Sequence, residues 1–262
     1  MAIAPTPGAR LTYERAGSGP ALLHIGGTGG DLRRPPHPLA WPGAKRFDQV
    51  AYDHRGLGRS IARDPEAQPT MADFAGDALA LADHVGWERF ALIGVSFGGM
   101  VAQEVAIRAG DRVTRIVLAC TSSGGAGGSS APLHEILMRP RAERDAAMVE
   151  LIDTRTREDA RLRAEFAVLL AAVPEPDDRA RRGLMAQLEA RRHHDTWSRL
   201  PGIAAPTLVA AGRHDALAPL ANSSALAGAI PNARLEIFDG GHAFLSQDPR
   251  AWPAIAEFLG AA

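Results

Sequence analysis

The sequence has little cysteine, little lysine and no long apolar run, and each shortage excludes a class of chemistry. Cys120 is the only cysteine among 262 residues, which excludes intramolecular disulfides and a cysteine-rich metal site. Lys45 is the only lysine and lies in no recognisable motif, which argues against a Ser–Lys dyad or a Schiff-base lysine. No apolar run approaches about 18 residues, so no membrane-spanning helix is predicted.

A strong net charge is absent as well. The formal net charge is −1, which offers no attraction to nucleic acid or to an acidic membrane, and we expect neither as a partner. The first eight residues contain no basic region followed by an apolar stretch, so a cytoplasmic location is expected. With 46% apolar and 23% charged residues, the composition is typical of one globular domain or of a domain with an insertion.

Short apolar runs alternate with amphipathic segments along most of the chain. The clearest helix covers residues 71–85, where Thr70 is a suitable N-cap with Asp73 three residues on and Gly86 is a stop signal. Runs typical of strands occupy 11–15, 21–25, 49–53, 90–93, 113–119, 206–212 and 234–238. This alternation favours an α/β fold with a mostly parallel central sheet and helices on both faces. The last run alternates polar and apolar residues, as an exposed edge strand does.

One segment departs from the alternation. Residues 132–200 contain helical patterns only, broken near Pro140 and at Pro174 and Pro176, and they follow a glycine- and serine-rich loop. We therefore predict a helical lid inserted into a sheet domain made of residues 1–131 and 201–262. We expect this lid to set substrate choice through apolar residues, with Met148, Leu151, Phe166, Leu169 and Met185 as the candidates.

The sequence Gly94-Val95-Ser96-Phe97-Gly98 places a serine between an apolar strand-like run and a helical run. A sharp strand-to-helix turn pushes a side chain out of the backbone envelope, and flanking glycines remove the Cβ atoms that would collide there. Ser96 is therefore the candidate nucleophile.

A serine hydroxyl needs a base to take its proton, and the base needs a group that holds its other nitrogen. Active sites of open parallel sheets lie at the carboxyl ends of the strands. His242 and Asp215 each follow a predicted strand near its end, whereas the loop after Ala119 offers no carboxylate. We therefore predict His242 as the base and Asp215 as the residue that orients it.

The negative oxygen of a tetrahedral intermediate needs hydrogen-bond donors. One candidate is the backbone N–H of Phe97, directly after Ser96. The second candidate is the backbone N–H of Thr28, in the loop Gly26-Gly27-Thr28-Gly29-Gly30, where the glycines allow close approach. No Gly-Lys-Ser/Thr follows these glycines, so a phosphate-binding loop is not favoured.

These motifs together resemble the α/β-hydrolase-fold superfamily over nearly the whole chain. The matching segments are Gly94-Val95-Ser96-Phe97-Gly98-Gly99, Tyr52-Asp53-His54-Arg55-Gly56-Leu57-Gly58-Arg59-Ser60, Gly212-Arg213-His214-Asp215 and Gly241-His242-Ala243-Phe244. The order Ser96, Asp215, His242 is the order of that fold. The chain is similar to small lidded members such as 3-oxoadipate enol-lactonases, cofactor-free haloperoxidase/esterases and polyketide methylesterases. It departs from them at the common His-Gly-x-Gly segment, which here is Gly26-Gly27-Thr28-Gly29.

The sequence thus predicts a hydrolase of carboxylic esters or lactones that acts on a small molecule and uses no cofactor and no metal. Carbon–carbon bond hydrolysis, perhydrolysis and ligand sensing on a hydrolase scaffold remain open alternatives, and so does the oligomeric state. Other reactive side chains are interpreted as structural. We expect His24 and His54 to be hydrogen-bonded structural residues, Cys120 to be small and buried, and His193 with His194 to form a solvated helix end.

Overall fold

In the computed structural model, which describes residues 1–260, nine strands form one sheet in the order β1-β2-β4-β3-β6-β7-β8-β9, and β5 pairs with β2. The strands are β1 Ala2–Pro5, β2 Ala9–Ala16, β3 Ala21–Ile25, β4 Asp48–Tyr52, β5 Ile61–Ala62, β6 Phe90–Val95, β7 Val113–Ala119, β8 Thr207–Gly212 and β9 Ala233–Phe238. All pairs from β4 to β9 are parallel, and only the pairs involving β2 are antiparallel. The predicted mostly parallel sheet is confirmed, with β9 at its edge.

Helices cover both faces of this sheet because successive strand residues point to opposite sides. Leu23 and Leu92 pack in one buried cluster with residues of α1 (Met71–His84) and α2 (Phe97–Ala109). Their neighbours Leu22 and Ile93 belong to a second cluster with residues of α9 (Ala251–Gly260). α7 (Leu220–Ala229) contributes Leu226 to the first cluster. The sheet therefore has two cores, one on each face.

The predicted start of α1 is present in detail. The Thr70 side chain accepts a hydrogen bond from the Asp73 backbone N–H, and the Asp73 side chain accepts one from the Thr70 backbone N–H. Each bond satisfies a donor that the first turn of a helix leaves free.

Between β7 and β8 the described chain forms helices and no strand. They are α3 Leu133–Ile136, α4 Arg141–Ile152, α5 Ala160–Ala171 and α6 Asp178–Arg192. α4 begins directly after Pro140, and the break between α5 and α6 contains Pro174 and Pro176. A further short helix, α8 (Phe244–Gln247), follows β9. None of the helices within residues 1–260 has the length and apolar content needed to cross a lipid bilayer.

Candidate active site

Ser96 lies at the turn between β6 and α2, in a backbone conformation with φ 56° and ψ −116°. A positive φ is costly for a residue with a Cβ, and only Ser96 and Cys120 adopt one among the non-glycine residues of the described chain. A Cβ on Gly98 would overlap the Ile25 carbonyl oxygen, and a Cβ on Gly94 would overlap the Gly98 carbonyl oxygen. The two flanking glycines therefore permit the turn that presents the Ser96 hydroxyl.

Asp215 and His242 reach Ser96 from the ends of the neighbouring strands β8 and β9. His242 Nδ1 lies 2.8 Å from Asp215 Oδ2, and His242 Nε2 lies 3.0 Å from Ser96 Oγ. The other Asp215 oxygen accepts hydrogen bonds of 2.8 Å from the backbone N–H groups of Leu217 and Ala218. A carboxylate only accepts, so His242 Nδ1 donates to Asp215 and the free electron pair of Nε2 faces the serine hydroxyl. The structure thus brings together the three side chains that the sequence singled out.

The end of α4 is attached to the loops that carry these side chains. The Ile152 carbonyl accepts a 2.6 Å hydrogen bond from the backbone N–H of His242, and the Leu151 carbonyl accepts one of 3.1 Å from Ala216. The three side chains and the two predicted oxyanion donors all lie outside residues 132–200. This segment nevertheless contacts the backbone that positions Asp215 and His242.

Two sets of backbone N–H groups near Ser96 are free to bind an oxyanion. Phe97 is the first residue of α2, where an N–H has no partner within the helix. Gly27 and Thr28 both line the same cavity as Ser96, and neither N–H donates a hydrogen bond within residues 1–260. A Cβ on Gly27 would lie 3.5 Å from Ser96 Cβ, so Gly27 approaches the serine closely. Sequence reasoning named Thr28 and missed Gly27.

The loop of residues 26–30, here called the oxyanion loop, has a hydrogen bond to each of three successive peptide units. His54 Nε2 lies 3.1 Å from the Gly26 carbonyl oxygen, the Gly30 N–H donates to the Gly27 carbonyl at 3.2 Å, and the Gly29 N–H donates to Gln187 Oε1 at 2.9 Å. A peptide unit is planar, so a bond to the carbonyl of one residue also orients the N–H of the next. The His54 contact therefore orients the Gly27 N–H, and the Gly30 contact orients the Thr28 N–H.

His54 and His24 are buried and hydrogen-bonded, as predicted. Burial lowers the pKa of each to about 4 because the charged form loses its hydration. His24 Nε2 lies 2.9 Å from Gln49 Oε1. Neutral His54 donates from Nε2 to Gly26, and its ring lies with its centroid 5.3 Å from that of Phe97. Cys120 is also buried as expected, and burial raises the pKa of its thiol, which keeps it protonated.

The expectation for His194 is wrong. His193 is exposed, but His194 is only 6% exposed, and burial lowers its pKa to about 4. The chain turns inward after α6, where the Thr196 N–H donates to the Ser123 carbonyl at 2.9 Å. This turn places His194 against the loop that precedes α3, where a Cβ on Gly124 would overlap the His194 carbonyl oxygen.

Ser96 and His242 open into a cavity of 590 Å³, within the range of small-molecule sites. Its walls are mainly apolar side chains from the helical segment and the sheet loops: Leu57, Val95, Leu133, Leu137, Met148, Ile152, Leu170, Val173, Leu184 and Leu217. The charged lining residues include ion pairs, such as Arg33 with Asp31 at 2.6 Å and Arg144 with Glu175 at 2.7 Å. Of the five predicted apolar lid candidates, only Met148 lines this cavity.

Gln187 is a further residue that sequence reasoning missed. It is fully buried on α6 and contacts the oxyanion loop. The signal that could have found it is a polar side chain between Leu184 and Leu188, inside the apolar stripe of a helix.

The chain is similar to known proteins over most of its length. The model of a family described as alpha/beta hydrolase fold matches residues 20–249. The chain is 31% identical over 231 residues to a putative carbamate hydrolase RutD from Caulobacter vibrioides, covering 82% of this chain and 81% of that protein. It is 31% identical over 246 residues to a poly(3-hydroxyalkanoate) depolymerase from Ectopseudomonas oleovorans, covering 91% and 83%. The crystal structure of an enol-lactonase from Burkholderia xenovorans LB400 superposes with a TM-score of 0.79 at 27% identity, covering 99% of this chain and 100% of that one.

Proposed function

Because the chain belongs to the α/β-hydrolase-fold family, we propose that it is a serine hydrolase that cleaves a carboxylic ester or lactone through an acyl-serine intermediate. The observation that carries this proposal is the hydrogen-bonded series Asp215–His242–Ser96, with distances of 2.8 Å and 3.0 Å, at the wall of an apolar cavity. Such a series lets the histidine take the serine proton as the hydroxyl attacks.

Each step of the reaction uses a group already described. Ser96 Oγ attacks the carbonyl carbon of the substrate while His242 Nε2 takes the hydroxyl proton. Asp215 stabilises the resulting imidazolium by accepting the hydrogen bond from Nδ1. The N–H groups of Phe97 and of Gly27 or Thr28 bind the negative oxygen. The intermediate collapses, His242 gives its proton to the leaving alkoxide, and water then hydrolyses the acyl-serine by the same route.

The cavity supports a small, largely apolar substrate. Its lining is mainly apolar, and apolar surface binds the hydrocarbon part of an ester mainly by releasing water. The relatives are named as a putative carbamate hydrolase, a poly(3-hydroxyalkanoate) depolymerase and an enol-lactonase, and each name refers to a compound with a carbonyl carbon bonded to a heteroatom. This shared chemistry favours attack on an acyl carbonyl.

The division into a core of residues 1–131 and 201–262 and a lid of residues 132–200 belongs to the same proposal. It is supported by the cavity lining, since residues 132–200 contribute seven of the ten apolar wall residues named above. A cytoplasmic location stays a prediction of the sequence.

Turnover of p-nitrophenyl esters and of simple lactones by the wild type and by Ser96→Ala tests the proposal. We expect hydrolysis by the wild type and a loss of activity in Ser96→Ala of at least about 10³-fold. Stoichiometric binding of these compounds without turnover would favour the ligand-sensing alternative instead.

A further inference from the structure

The helical segment contacts the oxyanion loop directly. Gln187 Oε1 on α6 accepts a 2.9 Å hydrogen bond from the Gly29 N–H, across 158 positions of sequence. Gln187 is fully buried, and its Nε2 has no hydrogen-bond partner in the described chain. One turn earlier on α6, Leu184 Cδ1 would lie 3.7 Å from a Cβ on Gly29. A hydrogen bond to a single side-chain oxygen therefore joins α6 to this loop.

Gln187 is the last of three contacts on one face of α6. Arg179 Nη1 donates to the Ser60 carbonyl at 2.9 Å and Nη2 to the Gly58 carbonyl at 2.6 Å. A Cβ on Gly183 would lie 2.6 Å from the Gly56 carbonyl oxygen, so the two backbones touch. Positions 179, 183 and 187 are four residues apart and therefore line up along the helix. The helix is held against the sheet domain along this line, and Gln187 is where the line meets the oxyanion loop.

The oxyanion loop needs such support because of its composition. Four of its five residues are glycine, which has the largest conformational freedom to lose. The bond from Gln187 fixes the peptide unit between Thr28 and Gly29. This unit directly follows the two units that carry the Gly27 and Thr28 N–H groups, and the Gly27 carbonyl is already bound by Gly30 within the loop.

We propose that Gln187 is a positioning residue, which holds the second oxyanion donor in place from the helical segment. The inference rests on the proposed function, since the donor acts only if an oxyanion forms on Ser96. With this role, the helical segment contributes to stabilisation of the transition state and also forms part of the cavity wall. An effect on transition-state binding is therefore expected from a residue that does not line the cavity.

Three variants separate positioning from stability. Gln187→Met has a similar volume and lacks the acceptor. Gln187→Glu is the conservative rescue variant: burial favours its protonated, neutral form, which keeps an oxygen that can accept from Gly29 and adds no charge beside the oxyanion. Leu188→Ala is the matched control, because Leu188 is 1% exposed on the same helix and is not among the residues that line the Ser96 cavity.

The readouts are kcat, KM, the melting temperature and the affinity for an alkyl trifluoromethyl ketone. Ser96 Oγ adds to the ketone carbon and His242 takes the hydroxyl proton, so the adduct oxygen carries the charge that the oxyanion donors bind. For Gln187→Met we expect kcat to fall about 10- to 100-fold, with KM within about threefold and ketone affinity reduced in parallel with kcat/KM. For Gln187→Glu and Leu188→Ala we expect kcat and ketone affinity within about threefold of wild type, while Leu188→Ala melts at a lower temperature.

The outcomes distinguish the inference from the function it rests on. If the wild type turns over esters and Gln187→Met matches it in kcat and ketone affinity, the positioning role is wrong and the proposed function stands. If Leu188→Ala loses as much kcat as Gln187→Met, the effect is one of helix stability and the positioning role is also wrong. A wild type that neither hydrolyses esters nor binds the ketone overturns both.

Discussion

Replacement of His54 by phenylalanine tests the peptide-plane argument for the oxyanion loop. The imidazole lies edge-on to three rings, with centroids 5.1 Å from Tyr52, 5.7 Å from Phe74 and 5.3 Å from Phe97. Phenylalanine keeps this packing and removes the Nε2 donor that holds the Gly26 carbonyl. At pH 7.5, where the ring is neutral, the variant therefore isolates one hydrogen bond.

The expected loss of activity follows from what that bond orients. The Gly26 carbonyl and the Gly27 N–H belong to one peptide plane. Complete loss of an oxyanion donor costs about 10²–10³ in kcat, and a donor that is loosened but still present costs less. We expect His54→Phe to lower kcat about tenfold, with KM little changed. His54→Gln, whose amide can donate from a similar position, is expected to recover most of that loss.

His54→Phe lowers kcat, but it also removes a group that destabilises the wild-type protein at acid pH. Burial lowers the pKa of His54 to about 4, whereas the pKa of a histidine in the unfolded chain is about 6.5. Between about pH 6.5 and pH 4 the unfolded state therefore binds a proton that the native state does not. The stability contributed by the neutral ring is complete above about pH 6.5 and is lost as the pH falls toward 4. At pH 5 this loss is about 2 kcal/mol of unfolding free energy, and phenylalanine, which does not titrate, escapes it.

Urea unfolding at pH 7.5 and pH 5, with ester turnover at pH 7.5, measures both effects. We expect His54→Phe to be about 1 kcal/mol less stable than wild type at pH 7.5, from the lost hydrogen bond, and equal or more stable at pH 5. A variant with wild-type kcat would refute the peptide-plane argument. A stability difference that is the same at both pH values would refute the assignment of a neutral buried ring.

Three further predictions use the same ester assay. Asp215→Asn should lower kcat by about 10⁴, because the amide favours the wrong histidine tautomer; a loss under about tenfold would contradict the orienting role. Gly183→Ala should lower both kcat and melting temperature, because the new Cβ would lie 2.6 Å from the Gly56 carbonyl oxygen. Alanine alone favours a helix over glycine by about 1 kcal/mol, so a stabilised, fully active variant would contradict this prediction. Met148→Ala should change the ratio of short- to long-chain ester turnover about 10- to 200-fold. Leu169 is 63% exposed and lies outside the cavity, so Leu169→Ala should leave this ratio unchanged. The same ratio in both variants would contradict a selecting role for the cavity wall.

The sheet and the three aligned side chains could be predicted because local rules place them. Ser96 is identified by its glycines and by the change from strand to helix around it, and Asp215 and His242 each follow an apolar strand. The parallel order then requires those strand ends to lie at one edge of the sheet. Two short strands were missed, β1 and β5, since four and two residues are too few for a periodic signal.

The contacts made by α6 could not be predicted in this way. Gln187 and Gly29 are 158 residues apart, and no periodicity or motif relates them. His194 follows three residues that resemble an exposed helix end, and it is buried only because the chain turns back toward Ser123. Gly27 carries no side chain that could mark it as a donor, and its closeness to Ser96 depends on how the β3 loop crosses the end of β6. Such features depend on tertiary packing, which single-sequence patterns do not contain.

The central claim is that Ser96, activated by His242 and Asp215, carries the acyl group during turnover. Rapid acid quenching of the enzyme with a slowly hydrolysed p-nitrophenyl ester, followed by peptide mass mapping, measures this directly. The account predicts a mass increase equal to the acyl group on the peptide that contains Ser96, and its absence in Ser96→Ala. Ester turnover without an adduct on that peptide, or an adduct of the same yield in Ser96→Ala, would contradict it.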